Sequence, residues 1–109
     1  MSIYTKLQAA IEGKDSTLYK ELYHEDFQFV RHQTKTTMNR EQIVAMIEKM
    51  FASGAVEIND HRCLYENETV MVEHSFMSFP DGSSEAVLAF HQLEDGKIIR
   101  TETGATLIK

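Results

Sequence analysis

The sequence has one cysteine, one proline, no tryptophan and no cationic surplus. A lone cysteine, Cys63, excludes an internal disulfide framework and supplies no zinc-ligand spacing. With Pro80 as the one proline there is no Pro-rich linker, and neither a low-complexity tract nor an internal repeat is visible. Eleven basic residues stand against seventeen acidic ones, a net charge of −6. The basic stripe that marks a nucleic-acid binder is missing, so nucleic acid is not an expected partner. No apolar run approaches the roughly 18 residues that cross a bilayer, so a membrane is not expected either. The start, MSIYTKLQAAIEGK, lacks a basic opening followed by an apolar stretch and cleavage site. The expected location is cytoplasmic.

What is present fits one domain spanning 1–109, with 42% hydrophobic and 26% charged residues. Charge is uneven: residues 1–54 hold seven basic and seven acidic side chains, residues 55–109 four and ten. The first half reads as helical. Ile3, Leu7, Ala10 and Ile11 share a stripe, with Ser2 as N-cap and Gly13 as stop. Asp15 or Ser16 caps a second helix with Leu18, Tyr19, Leu22 and Tyr23 on its apolar side. A short strand is expected over 27–32 and a polar loop over 33–38. Asn39 and Gln42 form a capping box, and Ile43, Met46, Ile47, Met50 and Phe51 continue at helical spacing to Gly54.

From residue 56 the period becomes two. Strands are expected over 57–65, 70–79, 85–93 and 97–107, separated by Glu66-Asn67-Glu68, Pro80-Asp81-Gly82-Ser83 and Glu94-Asp95-Gly96. Gly104 inside the last strand suggests a bulge. Strands of about ten residues reach roughly 33 Å, so the sheet must twist and curl. The expected class is α+β, three helices of the N-terminal half packed in the concave side of a curled, mainly antiparallel, cone-like sheet.

His61, His74 and His91 lie in three successive strands. If residues opposite one another across the 66–68 and 80–83 turns sum to odd numbers, all three rings share a face. That face carries Asn59, His61, Cys63 and Tyr65, then Val70, Val72, His74, Phe76 and Ser78, then Val87, Ala89, His91 and Leu93. The other carries Leu64, Met71, Met77, Phe79, Leu88 and Phe90, apolar enough to need cover, and a second copy of the chain is the simplest cover. The last strand is open to two readings. A three-residue Glu94-Asp95-Gly96 loop sends Ile99, Thr101 and Thr103 inward; a two-residue Asp95-Gly96 turn sends Ile98, Arg100 and Glu102 inward.

The element order resembles the nuclear transport factor 2-like superfamily and, within it, the SnoaL-like proteins. The residues carrying the resemblance are Leu22-Tyr23-His24-Glu25-Asp26-Phe27, Glu94-Asp95-Gly96-Lys97-Ile98, the helix after Asn39 and the Pro80-Asp81-Gly82 turn. The resemblance implies a curled sheet around three helices, a homodimer through the outer sheet face and a small organic ligand held in the cone. It also turns the histidine face toward the cone and favours Thr101 and Thr103 inward. Relatives include ketosteroid isomerase, polyketide cyclases, limonene epoxide hydrolase and non-catalytic binding domains, so a pocket is implied rather than a chemistry. Aligned with the isomerase, Arg31 stands at its general-base aspartate, Leu7 at its oxyanion-hole tyrosine and Ala89 at its oxyanion-hole carboxylic acid. Aligned with the epoxide hydrolase, His74, Phe76 and Thr103 stand near its Asp-Arg-Asp positions. Neither catalytic set carries over.

The candidate pocket lining is Phe29, Met46, Met50, His61, Tyr65, Phe76, Ser78, Thr101 and Thr103. Histidine can act as base, acid or donor near neutral pH. In an enzyme, His74 or His91 would take a proton beside a carbonyl while Arg31 and a threonine hydroxyl steady the oxyanion. Plainer roles compete with each assignment. Each histidine can be a hydrogen-bonded core or surface residue, and Arg31 can lie at the rim, solvated or paired with Asp26. The methionines read as core and interface filler, and Cys63 as buried and inert. Glu66, Glu68, Glu85 and Glu94 read as solvated. No histidine pair has close ligand spacing, so no metal and no cofactor is expected. Three functions remain: a small-molecule binder, a cyclase or isomerase, or a dimerisation module whose cone Phe29, Met46 and Phe76 fill. A cavity of roughly 300 Å³ or more separates the first two from the third.

Overall fold

Helix α1, Ile3–Glu12, starts at Ser2, whose hydroxyl accepts the Thr5 amide, and buries Ile3, Leu7 and Ala10. The computed structural model describes residues 2–108. Helix α2, Ser16–Glu21, is capped by Asp15 and ends before Tyr23, which opens strand β1, Tyr23–Arg31, instead of closing the helix. After it, the stretch expected as loop contains β2, Thr36–Asn39, antiparallel to β1. As an edge strand of polar residues it carries no apolar alternation, which is what hid it. Helix α3, Arg40–Ser53, opens in a reciprocal capping box between Asn39 and Gln42 and stops at left-handed Gly54 (φ 62°).

Strands β3, Glu57–Glu66, β4, Val70–Ser78, β5, Ser84–Glu94, and β6, Lys97–Ile108, form an antiparallel meander. β6 then pairs with β1 in parallel, giving one six-stranded sheet in the order β2-β1-β6-β5-β4-β3. The three helices pack on one face of this curled, mostly antiparallel sheet, the expected α+β class. One end is solid core, where Leu7 and Ala10 of α1, Tyr19, Ile43 and Ile47 meet Tyr23, Met71, Leu93 and Ile98. Met71 and Ile98 are fully buried. Each contributes about 1.5–3 kcal/mol of apolar burial.

Register determines which side chains meet the helices, and the expected parity of β4 is corrected. Ser78 pairs with Ser84 and Glu73 with Ala89, so the connection takes residues 79–83 rather than 80–83. Its closure is visible: Phe79 N–H donates to the Ser83 carbonyl at 2.9 Å and the Ser83 N–H to Asp81 Oδ1 at 2.9 Å. One extra loop residue turns the whole strand over. Met71, Glu73, Ser75 and Met77 face the helices; Val72, His74, Phe76 and Ser78 face away.

The β5–β6 connection is the two-residue alternative, with Asp95 (φ 53°) and Gly96 (φ 75°) both left-handed between Glu94 and Lys97. A bulge then intervenes: Leu93 pairs with Ile98 but Gln92 with Arg100, which skips Ile99. Ile98, Thr101 and Thr103 therefore all point inward, the favoured face reached by the other turn. Gly104 pairs regularly with Leu88, so the bulge is at Ile99 and not at Gly104. β3 has two irregularities of its own, between Asn59 and Arg62 and between Cys63 and Tyr65. Asn59 opposes Phe76 and Tyr65 opposes Val72, both on the outer face, while the bulge at Asp60 (φ 51°) returns His61 to the inside. Cys63, expected buried, is exposed.

Candidate functional site

Beyond the solid core the helices stand off the sheet and leave a hollow of about 260 Å³. That is close to nine water volumes at roughly 30 Å³ each. Leu7, Ile47, Met77 and Val87 are typical of its wall, which is apolar over most of its extent. Against that wall stands one continuous polar row.

Glu73, near the middle of β4, is its centre. His61 Nε2 lies 2.8 Å from Glu73 Oε1, and His91 Nε2 lies 2.9 Å from Glu73 Oε2. A carboxylate only accepts, so both imidazoles donate from Nε2. In the neutral His91 ring Nδ1 then accepts the Thr101 hydroxyl, 2.6 Å away, and both of its nitrogens are used. His61 Nδ1 has no protein partner among the described residues. Burial alone would raise the Glu73 carboxyl; the hydrogen bonds and the charge attraction of His61 and His91 together outweigh it and hold it down at about 2. Glu73 is thus an anion with 11% of its side chain exposed.

The helices orient this row. Glu66, at the end of β3, accepts the Ile3 amide at 3.0 Å and the Tyr4 amide at 3.4 Å, a carboxylate at the positive end of α1. Tyr4 is thereby held against His61, ring centroids 5.0 Å apart. Glu66 was expected to be solvated; it is half-buried and serves as this clasp. From α2 and β1 come Tyr19 and Tyr23, whose hydroxyls lie 2.9 Å apart in full burial. Burial pushes both phenols up, so they stay neutral donors.

Also lining the hollow, the Arg31 guanidinium lies 3.4 Å from Glu85 Oε1 and donates to Gln33 Oε1 at 2.9 Å. The Gln33 amide donates back to Glu85 Oε2 at 3.0 Å and closes a triangle. Two expectations are corrected: Glu85 is buried rather than solvated, and Arg31 pairs with Glu85 rather than Asp26.

Of the residues expected at the site, Phe29, Arg31, Met46 and Met50 line the hollow. His61, His91, Thr101 and Thr103 do so as well. Tyr65, His74, Phe76 and Ser78 do not; the reversed β4 register and the second β3 irregularity put them on the outer face. His74 therefore cannot act as base in the cone, and Phe76 cannot fill it. The His74 ring instead meets Phe76 edge-on, centroids 5.1 Å apart, and its Nδ1 is buried without a partner. Glu73 and the tyrosine pair were not among the residues expected at the site. Glu73 left a signal, a lone acid at the centre of an apolar strand with Met71, Ser75 and Met77 in its own parity. Tyr19 and Tyr23 left none beyond their apolar bodies.

Among the described residues no group of histidine, cysteine and carboxylate side chains is arranged to hold a metal ion. No helix among them is long and apolar enough to cross a membrane.

The sequence model of the SnoaL-like domain matches residues 4–101. Among curated proteins none matches the chain. Solved structures share the architecture. A protein provisionally described as a ketosteroid isomerase, from Kribbella flavida DSM 17836, superposes with a TM-score of 0.78 at 14% identity, over 98% of this chain and 77% of its own. An NTF2-like protein of unknown function from Cytophaga hutchinsonii ATCC 33406 gives 0.77 at 16% identity, over 95% and 87%. A hypothetical protein with a ketosteroid isomerase-like fold from Catenulispora acidiphila DSM 44928, in complex with trimethylamine, gives 0.66 at 16% identity, over 94% and 83%. At such identities the likeness is one of fold.

Proposed function

The chain belongs to the SnoaL-like domain family, and on that premise we propose that it is a cytoplasmic domain that binds a small organic molecule in its cone. The observation that carries this is the unfilled hollow with one oriented polar row on an apolar wall. An apolar body would pack against Met46, Met50 and Phe29 while a single polar end meets His61, Glu73 and Thr101. The volume falls a little below the roughly 300 Å³ of a typical ligand site, which suits a compact molecule. That a relative of the same fold is in complex with trimethylamine supports a ligand of this size. A filled interior, which a pure dimerisation module needs, is not what Phe29 and Met46 make without Phe76. A thermal-shift screen of small ring compounds tests the reading. Ligands raise Tm by mass action, and Ala89→Phe, which puts a ring into the hollow, abolishes the rise; a rise that survives this filling sinks the reading.

Two further parts of the proposal have their own support. The outer face exposes Tyr65, Leu88 and Phe90, and a second copy of the chain covers it. An exposed, unpaired Cys63 suits a compartment that keeps thiols reduced.

One observation favours catalysis as a second reading. His61, anchored through Nε2 by Glu73, keeps Nδ1 free, the arrangement of a carboxylate-oriented base. His61 replaces His74 and His91 in the proton-abstracting role, since His74 lies outside and His91 is saturated. Tyr19 or Thr103 would supply the oxyanion donor in place of Arg31, which Glu85 engages. Deuterium exchange beside the carbonyl of cyclohexanone, followed by NMR, tests it: His61→Gln should remove any enzyme-dependent exchange, and an unchanged rate discards the reading.

A further inference from the structure

We infer that Tyr19 gives the hollow its specificity: its hydroxyl donates to a neutral acceptor on the ligand, a carbonyl or ether oxygen, and Tyr23 strengthens that donor. The inference rests on the hollow being a ligand site and adds the chemical class of its occupant.

The polar row has no proton left to give. His61 and His91 each commit an Nε2–H to Glu73, at 2.8 and 2.9 Å. Thr101 commits its hydroxyl to His91 Nδ1 at 2.6 Å. What the row still offers a ligand is lone pairs. Arg31 keeps N–H groups beyond those on Gln33 and Glu85, but with 37% of its side chain exposed it has water for them.

The tyrosine pair supplies what the row lacks. Tyr23 donates its one hydroxyl proton to the Tyr19 oxygen at 2.9 Å and is used up. The Tyr19 proton has no acceptor among the described residues, although Tyr19 is 6% exposed and lines the hollow. A buried donor calls for a partner, and the hollow is the side from which one can come. Accepting from Tyr23 polarises the Tyr19 O–H and strengthens what it donates. Burial, with the Glu73 charge behind it, keeps both phenols in the protonated form that donates. The same charge decides between acceptors, since it repels a carboxylate set against Tyr19 and spares a neutral oxygen. Ser75 and Thr103 also line the hollow, but an aliphatic hydroxyl is a weaker acid and a weaker donor than a phenol.

Calorimetric titration of the whole chain with acetophenone and α-methylstyrene tests this; the two are alike in shape and differ by a C=O against a C=CH2 group. The ratio of their affinities is compared between proteins, which cancels the greater hydrophobicity of the alkene. Tyr19→Phe should lower the acetophenone-to-styrene ratio about tenfold, and Tyr23→Phe, which only weakens the donor, about twofold. Benzoate should bind the wild type less tightly than acetophenone. The carbonyl stretch of acetophenone bound to the wild type should lie below its value in hexane and rise in Tyr19→Phe. Because Tyr19→Phe strands the Tyr23 hydroxyl, Tyr19→Phe/Tyr23→Phe, which removes both partners, takes its place if the single variant does not fold. An unshifted carbonyl band in the wild type overturns the inference whether or not the variants fold. So does tighter binding of benzoate, an unchanged ratio, or a ratio that falls in Ser75→Ala or Thr103→Val instead; each leaves the ligand site standing. Binding of neither neutral probe also overturns it, and xenon NMR then separates the cases: xenon in the hollow keeps the ligand reading, its exclusion removes both.

Discussion

His91 and His74 stand on adjacent strands of one sheet, and their surroundings are opposites. On the concave face His91 is 4% exposed and uses both ring nitrogens, one on Glu73 and one on Thr101. On the convex face His74 lies beside Phe76 with a buried Nδ1 bonded to nothing. Inside, polar groups are few and nearly all partnered; outside, Leu88 and Phe90 are bare. The concave face is thus complete within one chain. The convex face is the one whose apolar side chains still lack a cover, and beneath it lies a buried nitrogen without a partner.

The strongest way to break this contrast is to titrate or remove the concave carboxylate. Glu73 is held at about 2 against an ordinary 4.5. Because its folded value is depressed, its contribution of about 3 kcal/mol is present above pH ~4.5 and is lost as the pH falls toward 2. Urea midpoints of the wild type should fall steeply across that window, whereas Glu73→Gln should start about 3 kcal/mol lower and fall less steeply, through carboxyls such as Asp81 and Glu102 that are also held low. Parallel curves for the two proteins would show the carboxylate to be uncoupled from stability. Next in size, His91→Phe strands Glu73 Oε2 and Thr101 Oγ1 and should cost about 2 kcal/mol by chemical denaturation.

On the convex side the largest effect should be on association. If the proposed dimer forms through this face, Leu88→Asp, which puts a charge on the bare patch, should yield a monomer in sedimentation velocity and the wild type a dimer. The fold of each chain should change by no more than about 0.5 kcal/mol. An unchanged sedimentation coefficient would place any interface elsewhere. Smallest, and opposite in sign to its concave counterpart, His74→Val should stabilise by about 0.5 kcal/mol, since it removes an orphaned polar atom and adds a β-branched residue to a strand. Destabilisation there would mean that His74 has a partner after all.

Local signals were legible wherever the cause was local. Ser2, Asp15 and the Asn39–Gln42 box cap the three helices, as the residue types imply. The three long hairpins follow from period-two patterning and their turns. The candidate site was only half legible. Phe29, Met46 and Met50 line the hollow because aromatic and helical stripes face a core in either register. His74 and Phe76 do not, because one additional residue in the 79–83 loop reverses β4. His61 and Thr101 reached the inside by irregularities, at Asp60 and Ile99, that simple alternation does not express.

Composition, caps and periodicity, all read within a few residues, suffice for the order of the elements other than β2, the α+β class and the helical half of the lining. Strand parity does not yield to such reading, because it depends on loop closure and bulges that are chosen by what the two faces must pack against. Only the tertiary structure could decide that Glu73 rather than His74 faces the hollow, and so that the enclosed polar row is built on a carboxylate.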